Sequence, residues 1–194
     1  MAVVPAPREG TTAQFIFAWR DRGAGRIAPC SPGIYMIDPN IPLLRHTVAS
    51  VAYRGGKTLR GAPPEFANFR VSPTSRTPAE ILAHIGDLFQ WALCLANGRH
   101  EWHAATPLPW HQEIDRFFAA LDAFDKRLAT GGPTGFPAEK LFQGPIADAL
   151  THLGQIGMLR RIAGHPVRGE NYFKADITTG RVGCDQPPPR LEFD

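Results

Sequence analysis

Cysteine is scarce in this sequence of 194 residues. The three cysteines, Cys30, Cys94 and Cys184, are odd in number and form no C-x-x-C pair. A disulfide framework needs paired cysteines in an oxidising compartment, and this chain offers no such pairing. The sequence therefore predicts a reduced, cytoplasmic setting.

Long apolar runs are also missing. No stretch approaches the roughly 20 residues that a membrane-spanning helix needs. The N-terminus lacks the basic region followed by an apolar core that marks a secretory signal. We therefore expect no membrane segment.

A strong charge of either sign is absent as well. The formal net charge is +3, and lysine and arginine are scattered rather than clustered, which argues against a nucleic-acid partner, although the pI near 9.0 leaves that alternative open. Hydrophobic residues make up 43% of the chain and charged residues 20%, as in ordinary soluble domains. A chain of this length and composition is expected to form one globular domain, or one domain with an appendage.

Helical patterning dominates what is present. The first predicted helix runs from Pro42 to about Leu59, and the second begins at "TPAE" (77–80), where Thr77 and Glu80 form a capping box, and ends at Asn97-Gly98. The third runs from about Trp110 to Leu128. The fourth is predicted to begin at Gly144 and Pro145 and to end at Gly164. No strand pair is apparent.

Four amphipathic helices bury their apolar stripes most economically as a four-helix bundle, so an all-α fold with long loops is expected. Residues 1–40 show little pattern and are predicted to be a poorly ordered extension. Residues 41–194 form the predicted domain, with an irregular C-terminal tail from about residue 165. Bundles of this kind often self-associate, which makes a homodimer an expectation.

Two predicted helices carry polar side chains near their apolar faces. His84 lies in line with Leu88 and Leu95 on the second helix, and Asp148 and His152 are one turn apart on the fourth. Two imidazoles and a carboxylate suit Zn, Ni, Fe or Mn, and three protein ligands leave a position open for water or substrate. The alternatives are a hydrogen-bonded core histidine and an acid that favours the first helical turn because of the helix dipole.

The segments "TPAEILAHIGDLFQWAL" and "DALTHLGQIGMLRRIAG" resemble those of the DinB-like family of helical-bundle metalloproteins. The resemblance covers roughly residues 42–164 and implies an up-down-down-up bundle. Its metal ligands are one histidine on the second helix and an H-x-x-x-H pair on the last. His84 and His152 match two of them, and Asp148 stands where the family usually carries its middle histidine.

This resemblance implies a divalent-metal site at His84, Asp148 and His152. It also implies transfer of a low-molecular-weight thiol to a small electrophile, or hydrolysis of a small molecule. No catalytic base is identified. The alternative is a non-catalytic bundle that binds a ligand or supports a dimer through a metal-free polar network.

Four further residues are candidates for substrate contact. Gln155 and Trp91 lie on the two helices that carry the polar cluster. Arg168 and Tyr172 belong to a polar segment after the last helix, which either folds over the open end of the bundle or forms an ordered polar tail. A second metal cluster of His100, His103 and His111 is a further alternative, although exposed histidines explain that loop more simply.

Overall fold

The computed structural model describes residues 38–193, and their fold is all-α apart from one minimal strand pair. Four long helices or helical segments contribute most of the structure. They are α1 (Ile41–Leu59), α2 (Pro78–Ala96), α3 (Trp110–Ala129) and the pair α4 (Ala138–Leu141) and α5 (Ala147–Ile162), which a π-helical turn (Phe142–Ile146) connects. Short 3-10 helices occupy Pro64–Asn68 and Tyr172–Lys174.

The start of α2 is fixed by the predicted capping box. The backbone N–H of Glu80 donates to the hydroxyl of Thr77 over 3.2 Å, and the backbone N–H of Thr77 donates to the carboxylate of Glu80 over 2.8 Å. Both bonds satisfy donors that a helix start would otherwise leave unpaired. This part of the sequence-based prediction is confirmed.

The long helices share one core, because α1 and α2 each pack against both α3 and α5. Gly55 on α1 allows the closest of these approaches. A Cβ atom at this position would lie 2.6 Å from the ring of Phe117 on α3. A side chain at position 55 would therefore displace the ring of Phe117, and glycine is required there for packing.

The predicted start of the last helix is wrong. Helical structure begins at Ala138 rather than Gly144, and Pro145 lies inside the π-helical turn. Proline has no N–H to donate to the carbonyl four residues earlier, and the wider turn accommodates this loss. The predicted end is confirmed: Gly164 has a φ of +83°, and the N–H of His165 donates to the carbonyl of Arg160.

The C-terminal tail packs against α1 and forms the strand pair that the sequence did not reveal. Strands β1 (Gly169–Glu170) and β2 (Glu192–Phe193) are antiparallel. The ammonium group of Lys57 donates to Glu170 over 2.9 Å and to Glu192 over 2.7 Å, and the hydroxyl of Tyr53 donates to Glu170 over 2.6 Å. These buried contacts tie both strands to α1. Strands of two residues are too short to show alternation, which is why the sequence pattern missed them.

Two further expectations concern the N-terminal extension and the lack of a membrane segment. The predicted extension at residues 1–40 lies almost wholly outside the described residues. One helix, Pro78–Ala96, is long and apolar enough by composition to cross a membrane, but two thirds of that stretch is buried inside the protein, as in the core helix of a domain.

Candidate metal centre

The cluster predicted from α2 and α5 is assembled in the structure. Nε2 of His84 lies 3.6 Å from Oδ2 of Asp148, and Nε2 of His152 lies 3.4 Å from Oδ1 of the same carboxylate. Ligand atoms of all three residues lie within 4.8 Å of one another. Each histidine therefore faces its own oxygen of one shared carboxylate, and the group could hold a metal ion.

A neighbouring amide orients one of the two imidazoles. Nδ1 of His152 donates to Oε1 of Gln155 over 2.7 Å. An amide oxygen only accepts, so the proton is placed on Nδ1 and the lone pair of a neutral ring on Nε2. That lone pair faces Asp148. Metal-binding histidines are commonly held in this way by an acceptor at their other nitrogen.

The distances within the cluster are compatible with coordination of one shared ion. Both N···O distances exceed the roughly 2.7–3.2 Å of an N–H···O bond. A tetrahedral site with bonds of about 2.0–2.1 Å places neighbouring ligand atoms about 3.3–3.4 Å apart. The donor set of two imidazole nitrogens and a carboxylate also suits a borderline divalent ion. The donor types present therefore suit a metal ion, and the three residues could hold one.

Electrostatics keep one ligand neutral. The pKa of His84 is lowered, first by burial, then by the neighbouring His152 and by the positive charge of Arg76, and Asp148 offsets this only in part. The imidazole of His84 therefore has a free lone pair at neutral pH. Its side chain is 24% exposed and that of His152 14%, whereas Asp148 is 47% exposed. The cluster consequently opens to solvent on the side of Asp148.

The position of Asp148 argues against the alternative that it is only an acid favoured by the helix dipole in a first helical turn. Although α5 begins at Ala147, it continues from α4 through the π-helical turn, and the N–H of Ala147 is already bonded to the carbonyl of Phe142. Asp148 lies almost three turns beyond Ala138, counting about 3.6 residues per turn. The helix dipole acts on charges within the first turn. A favourable position at a free helix N-terminus therefore does not account for this carboxylate.

An aromatic wall adjoins the cluster. The ring of Trp102 lies 5.5 Å from that of His84 and 5.8 Å from that of Trp91, which it meets at 84°. His100 stacks on Trp91 at 5.6 Å and 26°. His100 thus packs on an aromatic ring, and the predicted second metal cluster with His103 and His111 is not among the ligand groups found close together in the described part of the chain.

The loop that carries Trp102, residues 97–109, is fastened by a buried charged group. Asp87 accepts from the N–H of Ala105 over 3.1 Å, and Glu113 accepts from the N–H of Leu108 over 2.8 Å. Arg116 bridges the two carboxylates, at 2.9 Å from Asp87 and 2.6 Å from Glu113. Both oxygens of Asp87 are therefore engaged, one by the loop and one by Arg116.

Arg116 also joins this loop to the helix that carries the first ligand. Its guanidinium donates to the carbonyl of Ala83, the residue before His84, over 2.6 Å. Arg116 therefore contacts both the residues that hold the Trp102 loop and the backbone next to His84.

The four predicted substrate contacts have different surroundings. Gln155 contacts His152 directly, and Trp91 belongs to the aromatic wall. Tyr172 packs against Tyr53 and lies under the guanidinium of Arg54, 4.0 Å from the ring centre. Arg168 lies 3.6 Å from Glu192. The substrate-binding roles of all four stay predictions, and the contacts described for Tyr172 are with α1.

Sequence reasoning missed Trp102, Arg116 and Glu113. Trp102 lies on an exposed loop where no periodicity marks a side chain. The i, i+3 spacing of Glu113 and Arg116 on α3 was a readable signal of an ion pair, but its connection to the loop depends on the tertiary fold.

A separate cavity of about 720 Å³ lies between the first 3-10 helix and the starts of α2 and α3. Its lining includes Arg70, Glu80, Leu108 and Trp110, and none of the three cluster residues. Cavity volume alone therefore does not mark the metal cluster.

Comparison with known protein families, with curated proteins and with solved structures finds no match to this chain. The resemblance to the DinB-like family accordingly stays a prediction that depends on the quoted motifs.

Proposed function

We propose that the chain binds one divalent metal ion at His84, Asp148 and His152 and uses it in transfer or hydrolysis on a small molecule. The observation that supports this most is the paired approach of two Nε2 atoms to the two oxygens of Asp148, at 3.6 and 3.4 Å. With the proton of His152 on Nδ1, the lone pair of its Nε2 faces the negative oxygen of Asp148. A bound cation would remove the repulsion between them.

Each residue of the cluster has a role in this proposal. His84 and His152 supply neutral nitrogen ligands, and Asp148 supplies the negative charge and leaves the solvent side accessible. Gln155 holds the proton of His152 on Nδ1. A divalent ion bound there would lower the pKa of a thiol or a water molecule and so provide a nucleophile at neutral pH.

The fold supports the same proposal. We propose that the four long helical segments form a four-helix bundle of the DinB-like type, with the cluster at the contact of α2 and α5. By that resemblance, transfer of a low-molecular-weight thiol to an electrophile is the first reaction to examine, and hydrolysis is the second.

The rival proposal is a metal-free polar network in a non-catalytic bundle. Such a network stabilises a core when all its members are hydrogen-bonded. The bond between His152 and Gln155 meets that condition, but both contacts of Asp148 are longer than ordinary hydrogen bonds. The metal content of the protein distinguishes the two proposals, since the network needs no ion.

Activity of the loaded protein tests the reaction. The untagged protein, supplied with one equivalent of Zn²⁺ or Mn²⁺, is incubated with a thiol such as cysteine and the chromogenic electrophile 1-chloro-2,4-dinitrobenzene, and with 4-nitrophenyl acetate as a hydrolysis probe. We expect metal-dependent turnover in the wild type and its loss in His152→Ala. His165→Ala removes an exposed imidazole outside the cluster and serves as the matched control. Equal turnover in His152→Ala and the wild type would contradict the proposal.

A further inference from the structure

Trp102 presents aromatic surface to solvent beside the candidate metal cluster. The residue is 44% exposed, although it is one of the largest apolar side chains in the protein. It contacts His84 and Trp91, and both contacts are edge-type at 61° and 84°. Part of the indole surface therefore stays available next to the ligands.

The surroundings of Trp102 hold it in place rather than leave it to move with its loop. Trp91 lies behind it and is itself fixed between His100 and the backbone of Gly144, where a Cβ atom would lie 3.5 Å from the indole of Trp91. Asp87 and Glu113 hold the loop three and six residues after Trp102, by accepting from the backbone N–H groups of Ala105 and Leu108. A rigid ring loses little conformational entropy when a ligand stacks on it.

The charge of the metal-loaded cluster determines whether an anionic or a cationic ligand is preferred. The charges that the structure places in the cluster itself are those of its three members, two imidazoles and the carboxylate of Asp148. A divalent ion bound by the cluster would outweigh the single negative charge of Asp148 and leave the site positive. A cationic ligand, which aromatic rings can also bind, is therefore disfavoured here.

We propose that the site takes a planar aromatic carboxylate, whose ring packs on Trp102 and whose carboxylate lies toward the His84–Asp148–His152 cluster. This inference rests on the proposed metal site for part of the head-group binding. The selectivity for a planar ring depends on Trp102 and not on the metal. The two contributions can therefore be measured separately.

The probes are benzoate and cyclohexanecarboxylate, which carry the same charge on rings of similar size but differ in planarity and aromaticity. Their dissociation constants are measured by NMR titration of the indole N–H signals, with the Trp102 signal identified by its absence in Trp102→Leu. Each titration is made on metal-free protein and on Zn²⁺-loaded protein. Benzyltrimethylammonium is the cationic probe.

We expect benzoate to bind about 3- to 10-fold more tightly than cyclohexanecarboxylate, the range that an added aromatic contact typically provides. This preference should be present with and without Zn²⁺, disappear in Trp102→Leu and be partly retained in Trp102→Phe. Phe173→Leu, which removes a 90% exposed ring elsewhere on the surface, should leave it unchanged. Zn²⁺ should strengthen the binding of both carboxylates.

Three results would overturn the inference: equal or undetectable binding of the two carboxylates, a preference that survives in Trp102→Leu, or tighter binding of benzyltrimethylammonium than of benzoate. If Zn²⁺ strengthened neither carboxylate while the preference for benzoate remained, the metal proposal would fail and the aromatic subsite would stand.

Discussion

Gln155 accepts a 2.7 Å hydrogen bond from Nδ1 of His152 and thereby directs Nε2 of that ring toward Asp148. The residue predicted as a substrate contact is thus also placed to position a ligand. Because the two side chains are three residues apart on α5, the helix itself sets their approach.

Gln155→Leu removes this acceptor and should weaken Zn²⁺ binding about 10- to 100-fold, the usual effect of losing such a partner. Gln155→Glu keeps an acceptor at the same reach and should restore most of the affinity. Competition with a chromogenic chelator measures both values. Gln143→Leu, an exposed change in the π-helical turn, is the control. Unchanged affinity in Gln155→Leu would show that the hydrogen bond does not support the site.

Asp148 is the residue at which the chain departs from the pattern it resembles. If Asp148 is a ligand, Asp148→Ala should lower Zn²⁺ affinity by at least about 100-fold, more than the loss of an outer partner. Asp148→His should retain Zn²⁺, because imidazole is an equally suitable zinc ligand. Zn²⁺ competition titrations decide this. Equal affinities of wild type and Asp148→Ala would show that the carboxylate is not a ligand.

Arg116 should be essential for stability, because it is the partner of two buried carboxylates. Asp87 and Glu113 are 4% and 0% exposed, and Arg116→Met leaves both without their counter-ion. Breaking a buried ion pair typically costs about 3–5 kcal/mol of unfolding free energy. Urea denaturation measures the loss.

The matched control for Arg116→Met is Lys126→Met, which breaks an exposed i, i+4 pair with Asp122 and should cost at most about 0.5 kcal/mol. Similar costs for the two variants would contradict the role assigned to Arg116. Hydrogen exchange should also become faster at the N–H groups of Ala105 and Leu108 in Arg116→Met only.

Glu80 gives the capping box of α2 a defined pH dependence. Burial acts to raise the pKa of this carboxyl, but the hydrogen bond from the backbone of Thr77 and the ion pair with Arg70 outweigh it, and the pKa is lowered from its ordinary 4.5. The folded state therefore binds this proton less readily than the unfolded state. The resulting stability is present above about pH 4.5 and is lost as the pH falls through the lower folded pKa.

Glu80→Gln should therefore unfold more easily than the wild type at pH 7, by about 0.5 kcal/mol, since the pair with Arg70 is partly exposed. The difference should shrink at pH 3 and below. Urea denaturation at both pH values checks this, with Asp115→Asn on the exposed face of α3 as control. A difference of constant size across the range would show that the carboxylate charge is not its source.

The parts of the fold that could be predicted are those that local sequence determines. Thr77 and Glu80 mark a helix start through adjacent hydrogen bonds, and the four-residue spacing of Asp148 and His152 places them on one side of a helix in any fold. The predicted helix start at Gly144-Pro145 failed because proline is normally excluded from helix interiors. Here a π-helical turn retains it while Pro145 and Ile146 remain buried in the core.

The remaining features depend on contacts between distant segments. Trp102 lies beside His84 on a loop that Asp87, Glu113 and Arg116 hold through tertiary contacts, and no pattern in residues 97–109 indicates this. The two-residue strands likewise exist because Lys57 binds Glu170 and Glu192, which are more than a hundred positions away in the chain. Pairings of this kind become visible only in the assembled structure.

The central claim is that His84, Asp148 and His152 hold one divalent ion, and metal content tests it most directly. The untagged protein is purified without chelator, and its Zn, Ni, Fe and Mn content is measured by inductively coupled plasma mass spectrometry, before and after dialysis against added Zn²⁺. We expect close to one metal ion per chain in the wild type and in His165→Ala, and a loss of that metal in His84→Ala and His152→Ala variants that remain folded by circular dichroism. Less than about 0.1 ion per chain in the wild type after dialysis against Zn²⁺, or equal metal content in the wild type and both cluster variants, would contradict the claim.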